Sequence, residues 1–296
     1  MKHTILFLTL ILFAMTAAAF AQGTELPPHW KFGHATLYQI EDTASGFAPG
    51  TFPTVDQATF DKYATDGRIP STVSAFLLEY PPSGKFVLID ATMGNGGLTA
   101  NLGKAMGDKF EPEKVALVLI THLHGDHIAG LLDGEARRFP NANVFCSKPE
   151  YEHWVKQNSA AVERVKKAYG DDFRGGFEFD EAVGLPGGDE EDKVTVTPLN
   201  AVGHTPGHTV FLIESSGEKL MVVGDLLHAA ALQFPMPEVC ASFDMDKTEA
   251  VKARRRILDL AAEENILIAG IHFPKPGIGY VKKNADGYEF VPIQGK

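Results

Sequence analysis

The stretch Val115-Ala116-Leu117-Val118-Leu119-Ile120-Thr121-His122-Leu123-His124-Gly125-Asp126-His127 decides how this chain is organised. Its first six residues are apolar and lack the polar face of a surface helix, so they predict a buried strand. His122 and His124 are two residues apart and project to the same side of an extended backbone. His122 and His124 can therefore share one metal ion, and Asp126 and His127, which follow after a turn, can reach a second ion beside it. The stretch therefore predicts a metal site at the carboxyl end of a strand.

A second histidine loop, Gly203-His204-Thr205-Pro206-Gly207-His208, lies between two predicted strands. A single histidine in such a loop is usually a structural residue. In a chain that already carries the first cluster, His204 instead completes a set of three imidazoles with His122 and His124.

Two further predicted strands, residues 219–223 and 266–270, are each followed by a ligand-type side chain, Asp225 and His272. Alone, Asp225 would be interpreted as a helix cap, whereas beside a metal cluster its two oxygens can bridge two cations. His228 is ambiguous and is left outside the predicted ligand set. Repeated loops of this kind bring their side chains to one edge of the sheets, where open α/β folds place their sites.

A predicted hairpin precedes the first metal-binding stretch. Its strands, residues 74–80 and 85–90, flank the turn sequence Pro81-Pro82-Ser83-Gly84. The second strand ends at Asp90, which either caps the next turn or accepts a hydrogen bond from a metal-bound imidazole and fixes its tautomer.

Two helices are predicted outside the histidine loops. Residues 149–169 form one, in which Trp154 belongs either to the core or to the wall of a substrate pocket. The other begins at the capping box Asp246-Lys247-Thr248-Glu249. Its run Arg254-Arg255-Arg256 is interpreted as a solvated face rather than an anion site.

Residues 1–21 have the pattern of a cleavable signal peptide. A basic start is followed by an apolar core at residues 5–14 and by Ala19-Phe20-Ala21, which predicts cleavage before Gln22. The alternative, a membrane anchor, needs a longer apolar run and a charged stop-transfer block. The sequence therefore predicts a periplasmic or secreted protein without a stable membrane anchor.

The remaining residues, 22–296, contain no linker or low-complexity block and are expected to form a single α/β domain. The chain has 38 acidic and 27 basic residues, a formal net charge of −11, which argues against nucleic acid as a partner. Cys146 and Cys240 either form a disulfide or are two separately buried thiols.

The motif His122-x-His124-x-Asp126-His127, followed by His204, Asp225 and His272, resembles the metallo-β-lactamase superfamily. This resemblance implies a four-layer αβ/βα sandwich. The stretches Gly203-His204-Thr205-Pro206-Gly207-His208, Gly224-Asp225-Leu226 and Phe273-Pro274-x-Pro276-Gly277-Ile278-Gly279 resemble the exported methyl parathion hydrolase group, which is related to the quorum-quenching lactonases.

The resemblance also implies how two zinc ions per chain would be held. The first would bind His122, His124 and His204, and the second would bind Asp126, His127 and His272. Asp225 would bridge the two ions, which share a hydroxide, and Asp126 or Asp225 would relay a proton to the leaving group. Asp90 and His208 would support the ligands from outside. Manganese, iron or cobalt could replace zinc in such a site.

The leading hypothesis from this resemblance is a lactonase or carboxyl-ester hydrolase acting on acyl-homoserine lactones, and the alternative is a phosphotriesterase. Trp154, Phe234 and Phe273 would suit either substrate as pocket residues. Zinc β-lactamases carry Cys or Ser at the position of Asp225, so β-lactam hydrolysis is a minor hypothesis. A non-catalytic metal-binding protein is the third, although structural zinc sites are usually closed and rich in cysteine. The resemblance further implies a homodimer.

Overall fold

The computed structural model describes residues 28–80, 84–94, 97–185 and 194–293 of the chain. The predicted signal peptide and most of the turn at residues 81–84 lie outside these ranges. Among the described residues, no helix is both long enough and apolar enough to cross a membrane.

The described residues form 15 strands and seven α-helices. The strands are β1 (His29–Phe32), β2 (Ala35–Phe47), β3 (Ile69–Glu79), β4 (Phe86–Ile89), β5 (Val115–Leu119), β6 (Leu132–Asp133), β7 (Ala136–Arg137), β8 (Asn143–Ser147), β9 (Phe173–Phe177), β10 (Val194–Asn200), β11 (Thr209–Ser215), β12 (Glu218–Val222), β13 (Leu267–Ala269), β14 (Ile278–Lys283) and β15 (Tyr288–Pro292). The helices are α1 (Gln57–Asp61), α2 (Gly97–Met106), α3 (Gly125–Ile128), α4 (Lys148–Lys156), α5 (Ala160–Tyr169), α6 (Ala230–Gln233) and α7 (Lys247–Glu263).

Two large mixed sheets organise the described part of the chain. The first has the order β1-β2-β3-β4-β5-β8-β9, and the second has the order β10-β11-β12-β13-β14-β15. In the first sheet, β4, β5, β8 and β9 run parallel, whereas β1 to β4 pair antiparallel. In the second, only β12 and β13 pair in parallel.

Each central strand contributes to two hydrophobic cores, because successive side chains of a strand point to opposite faces. In β5, Leu117 and Leu119 lie in the core between the two sheets, whereas Val118 packs with α2 and α5 on the outer face. In β12, Leu220 faces the inter-sheet core and Met221 packs toward α7. Helices therefore cover both outer faces, and the α/β class and the four-layer arrangement are confirmed.

The strand predictions that surround the histidine loops are confirmed. β3 and β4 form the expected antiparallel hairpin, and β14 and β15 form a second hairpin near the C-terminus. The loops after β4, β5, β10, β12 and β13 all meet at one edge of the two sheets. They carry Asp90, His122 to His127, His204, Asp225 and His272.

The single helix predicted for residues 149–169 is wrong, since the structure has two helices, α4 and α5. The chain between them turns at Asn158, whose φ of 51° lies in the left-handed region. Asparagine tolerates this conformation better than most residues, and it ends the helical path.

The interpretation of residues 254–256 as a solvated face is wrong for Arg254. Its side chain is 1% exposed and donates hydrogen bonds to the carbonyl oxygens of Leu226, Pro237 and Val239. These carbonyls belong to the long connection between β12 and α7, which folds over the helix. The sequence spacing alone does not show that this connection supplies acceptors.

Cys146 and Cys240 are both buried and not joined to each other. Of the two predicted alternatives, the cysteines are therefore separately buried thiols. Burial raises the pKa of both thiols, so neither is an activated nucleophile.

Candidate metal centre

The first group of converging ligands consists of His122, His124 and His204. His122 Nε2 lies 2.9 Å from His124 Nδ1, and His204 Nε2 lies 3.2 Å and 3.0 Å from these two nitrogens. Two nitrogens on one tetrahedral zinc are roughly 3.3 Å apart, since each Zn–N bond is about 2.0–2.1 Å. The three imidazoles therefore face a common point at a spacing that suits one ion.

The second group consists of Asp126, His127 and His272. Asp126 Oδ1 lies 3.8 Å from His127 Nε2, and Asp126 Oδ2 lies 3.7 Å from His272 Nε2. The ligand atoms of this group all lie within 4.8 Å of one another. Both imidazoles are buried, whereas the Asp126 side chain is 31% exposed.

Asp225 stands between the two groups and turns one oxygen toward each. Its Oδ1 lies 3.1 Å from both His127 Nε2 and His272 Nε2. Its Oδ2 lies 3.3 Å from His204 Nε2 and 3.6 Å from His122 Nε2. The structure thus brings together all seven side chains that the sequence analysis selected as ligands.

The nitrogen atoms that point away from the centre are held by specific partners. His127 Nδ1 lies 2.8 Å from Asp90 Oδ2, and His272 Nδ1 lies 2.7 Å from the carbonyl oxygen of Thr72. Asp90 also accepts from the backbone N–H and the hydroxyl of Thr121. Such partners fix the tautomer and the ring orientation of an imidazole that binds a metal through its other nitrogen.

His208 lies outside both groups and holds the backbone of Asp225. Its Nδ1 lies 3.0 Å from the carbonyl oxygen of Ala201, and its Nε2 accepts from the Asp225 N–H at 2.9 Å. Burial lowers the pKa of His208 to about 3, so the ring is neutral and can accept this hydrogen bond. Gly224 precedes Asp225 with a φ of 54°, and a Cβ there would lie 2.6 Å from His208 Nε2.

The centre has a strongly perturbed electrostatic environment. Burial acts to raise the pKa of Asp225, but the surrounding imidazoles, with His272 and His127 foremost, hold it well below its usual value. Burial lowers the pKa of His124 to about 4, so this ring is neutral at physiological pH. Asp225 is therefore ionised and His124 is available as a ligand.

Two buried atoms support the fit of a metal. In the described part of the chain, His127 Nε2 and Asp225 Oδ1 have no hydrogen-bond partner, although they lie only 3.1 Å apart. A buried polar atom without a partner is costly unless something else satisfies it. Converging imidazole nitrogens and carboxylate oxygens are the donor set that zinc and similar divalent ions use.

A comparison with known families agrees with this geometry. The sequence profile of the Metallo-beta-lactamase superfamily matches residues 68–268. The chain belongs to this superfamily. The match includes the ligands from His122 to Asp225, while His272 lies just beyond its end.

Two solved structures from the same superfamily are similar over most of the chain. The hydrolase AbOPH is 26% identical, covers 92% of this chain and 99% of its own, and superposes with a TM-score of 0.77. AidC, a dizinc quorum-quenching lactonase in complex with the product N-hexanoyl-L-homoserine, is 27% identical, with coverages of 90% and 97% and a TM-score of 0.79.

A curated relative of the chain is named as a ribonuclease. Endoribonuclease YSH1 of Candida albicans is 24% identical over 247 residues, which are 72% of this chain and 28% of the relative. The chain thus spans little more than a quarter of that protein's length. Because this relative is an RNA-cleaving enzyme, the sequence-based exclusion of nucleic acid as a partner is not supported.

His228, which the sequence analysis left outside the ligand set as ambiguous, lies against two of the ligand side chains. His228 Nε2 lies 3.1 Å from Asp225 Oδ2, and its ring stacks on His272 with the centroids 5.4 Å apart. Its position three residues after Asp225 at a strand end was the available signal. A short helical turn at residues 224–226 returns the chain toward the centre.

Sequence reasoning missed Asp244, which lies behind His204. Its Oδ1 lies 2.8 Å from His204 Nδ1, and its Oδ2 accepts from the backbone N–H of Ala241. No local motif marks Asp244, because its partner is 40 residues away along the chain.

The predicted pocket residues differ in their surroundings. Trp154 is partly exposed, and its ring lies edge-on to His124 with the centroids 5.4 Å apart. Phe234 and Phe273 are 2% and 0% exposed and pack against each other and Phe290 in the core beside the second sheet. The expectation that these two phenylalanines line a substrate pocket is therefore wrong.

Other aromatic side chains surround the centre instead. Phe243 is 41% exposed, and its ring centroid lies 6.0 Å from that of His204 and 4.8 Å from that of His228. Phe47 lies edge-on to His272 with the ring centroids 5.9 Å apart. We call Phe47 and Phe243 the apolar rim.

Proposed function

We propose that this protein is a dinuclear metal hydrolase that opens lactones or esters, with acyl-homoserine lactones as the preferred class. The observation that carries the proposal is the position of Asp225, which turns one carboxylate oxygen toward each of two ligand groups. A carboxylate shared in this way is suited to hold two cations at a short separation, as two-metal hydrolases require.

Zinc is the proposed metal. The two groups offer five imidazoles and carboxylates from Asp126 and Asp225, and nitrogen-rich sets of this kind suit zinc. His122, His124 and His204 would hold one ion, and Asp126, His127 and His272 the other. When bound, the pair supplies an activated water at neutral pH and a positive centre for the substrate's carbonyl oxygen.

The protein's own side chains supply orientation and proton movement. Asp90 and Asp244 hold His127 and His204 by their Nδ1 atoms, so that the Nε2 atoms face the centre. Asp126 is the carboxylate of the centre that reaches solvent, with its side chain 31% exposed. A carboxylate oxygen of Asp126 is therefore placed to pass a proton between water and a leaving group.

The apolar rim supports a substrate with an acyl chain. Phe243 exposes apolar surface next to the ligand His204, and such surface is stabilised when a hydrocarbon chain covers it. The likeness to AidC, a lactonase with a bound N-acyl-homoserine product, supports the same substrate class.

A phosphotriester substrate is the second candidate, and the indole of Trp154 is compatible with its aryl group. The indole is fixed beside His124, because its Nε1 donates to Glu150 Oε1 at 2.6 Å. A fixed aromatic ring at the edge of the centre could stack on the aryl leaving group of a compound such as methyl parathion.

The test is a set of parallel kinetic measurements on zinc-loaded protein. The substrates are a long-chain homoserine lactone, an aryl ester, methyl parathion, a carbapenem and single-stranded RNA. We expect the lactone to give the highest kcat/KM, and Asp225→Asn to lower it roughly 100-fold or more, because an amide has one oxygen and can no longer turn one toward each ion. Equal activity in Asp225→Asn would contradict the two-metal centre, and turnover of none of the substrates would favour a non-catalytic metal-binding protein.

We also propose that the enzyme acts outside the cytoplasm, because residues 1–21 have the pattern of a secretory signal peptide. Fractionation of bacteria that produce the full chain, followed by N-terminal sequencing, is expected to give a periplasmic product that begins at Gln22. An uncleaved cytoplasmic product would contradict this part of the proposal.

A further inference from the structure

Glu150 is a fully buried carboxylate that receives hydrogen bonds from three separate parts of the fold. Its Oε1 accepts from the Leu123 N–H at 2.9 Å and from Trp154 Nε1 at 2.6 Å. Its Oε2 accepts from the Thr205 hydroxyl and the Gly207 N–H, both at 2.8 Å. All four partners donate, so Glu150 acts only as an acceptor.

These partners lie directly beside the first group of ligands. Leu123 stands between His122 and His124, and Thr205 immediately follows His204. The two oxygens of one carboxylate therefore join the two loops that supply the three imidazoles of this group.

The start of α4 is fitted against the second of these loops. Ser147 caps the helix and donates from its hydroxyl to the carbonyl oxygen of Gly207 at 2.7 Å. A Cβ at Gly207 would lie 2.3 Å from the backbone nitrogen of Glu150, so only glycine permits this approach. Because the helix start and the loop are in direct contact, Glu150 has little freedom to shift.

Trp154 extends the connection to a third point. It lies four residues after Glu150, on the same face of α4, and its ring contacts the ring of His124. Glu150 thus positions the backbone before His124 and, through Trp154, one side of the His124 ring.

We propose that Glu150 is a positioning residue that sets the separation of His124 and His204 and so determines the metal affinity of the first group. This inference rests on the proposed metal centre. Glu150 touches no ligand atom and acts only through the two loops. Glutamine at this position has one acceptor oxygen, and its amide NH₂ would face either the Leu123 and Trp154 donors or the Thr205 and Gly207 donors. One loop would then lose its anchor.

The experiment measures metal affinity directly. Zinc dissociation constants are determined by competition with a chromophoric chelator in a His272→Ala background, which disables the second group. We expect Glu150→Gln to raise the dissociation constant of the first group about 10–100-fold, the range found for residues that support metal ligands. The visible absorption of the cobalt-loaded protein reports ligand geometry and is expected to change in the same variant.

The matched control is Glu152→Gln, which removes the same charge from an exposed position of α4. It is expected to leave both the dissociation constant and the cobalt spectrum unchanged. Thr205→Val, which removes one donor without changing the side-chain volume greatly, is expected to give a smaller effect in the same direction and serves if Glu150→Gln does not fold.

The outcomes separate the two proposals. If Glu150→Gln and Thr205→Val bind zinc as tightly as their parent, the positioning role is overturned while the metal centre stands. If the protein with its native ligands binds no divalent metal, the proposed function itself is overturned.

Discussion

His204 Nδ1 lies 2.8 Å from Asp244 Oδ1, and both side chains are buried. Burial acts to raise the pKa of Asp244, but the hydrogen bond with His204 and nearby positive charges lower it to about 2. Asp244 therefore presents a negative charge to the ring that faces the metal centre through its Nε2. A charged acceptor makes that imidazole a stronger ligand.

The first prediction concerns this charge. Asp244→Asn keeps the size of the side chain but removes the charge, so we expect the zinc dissociation constant of the first group to rise about 10–100-fold and kcat to fall. Competition titration and kinetics at saturating zinc measure the two effects. The control is Asp286→Asn in the exposed C-terminal hairpin turn, and an equal change in both variants would contradict the prediction.

The second prediction is the pH dependence of metal uptake. Burial acts to lower the pKa of His204, but hydrogen bonds with Asp225 and Asp244 raise it to about 9, above the ordinary value of 6.5. In the metal-free protein this ring is protonated at neutral pH, and a metal must displace the proton. We expect affinity to increase with pH and to level off above about pH 9.

The same shift affects the stability of the metal-free protein. Because the pKa of His204 is higher in the folded chain than in the unfolded chain, its contribution to the free energy of unfolding is fully present below about pH 6.5 and is lost as the pH rises through about 9.

The protonated state of His204 is tested by zinc binding. Calorimetry at pH 7.5 in buffers of different ionisation enthalpy is expected to detect proton release on zinc binding. Zinc binding without proton release would contradict the assignment of a protonated His204.

The sequence predicts the strands that surround the site because their side chains face two cores at once. Runs such as residues 115–120 are continuously apolar, and the ligand motifs follow them directly along the chain. His122, His124, Asp126 and His127 are therefore selected by local spacing, and the turn after β5 needs no distant contact to bring them together.

The supporting residues could not be predicted in the same way. Glu150 and Asp244 acquire their roles only when separate loops fold against them, and nothing in their neighbouring sequence distinguishes them from surface acids. Arg254 is buried because a connection 15 to 28 residues away supplies its acceptors. Phe234 and Phe273 were predicted in a pocket, yet packing against Phe290 places them in the core.

The third prediction concerns Gly224, which positions Asp225. An alanine would have to adopt a φ of 54°, and its Cβ would lie 2.6 Å from His208 Nε2. We expect Gly224→Ala to displace the Asp225 backbone, to lower the stability by about 2 kcal/mol or more and to weaken binding of both metal ions.

Gly134 provides the matched control for this substitution. Its φ of 62° is similar, but nothing lies within 4 Å of a Cβ added there. Gly134→Ala is therefore expected to lower the free energy of unfolding by only about 1 kcal/mol, through backbone strain, and to bind metal normally. Chemical denaturation and zinc titration compare the two variants, and equal metal affinity would show that the contact with His208 does not matter.

The last prediction tests the apolar rim by varying the length of the substrate. Phe243 is 41% exposed beside His204 and His228, so its ring is available to cover an acyl chain without holding the fold together. Removing it forfeits about 1–2 kcal/mol of apolar contact with a long chain and much less with a short one. We expect Phe243→Ala to raise KM about 5–30-fold for a dodecanoyl-homoserine lactone but less than about twofold for a butanoyl one. kcat is expected to change little, because the ligand groups are untouched.

Michaelis–Menten kinetics across the acyl series provide their own control, since a uniform loss for all chain lengths would point to a disturbed metal centre rather than to an acyl-binding rim.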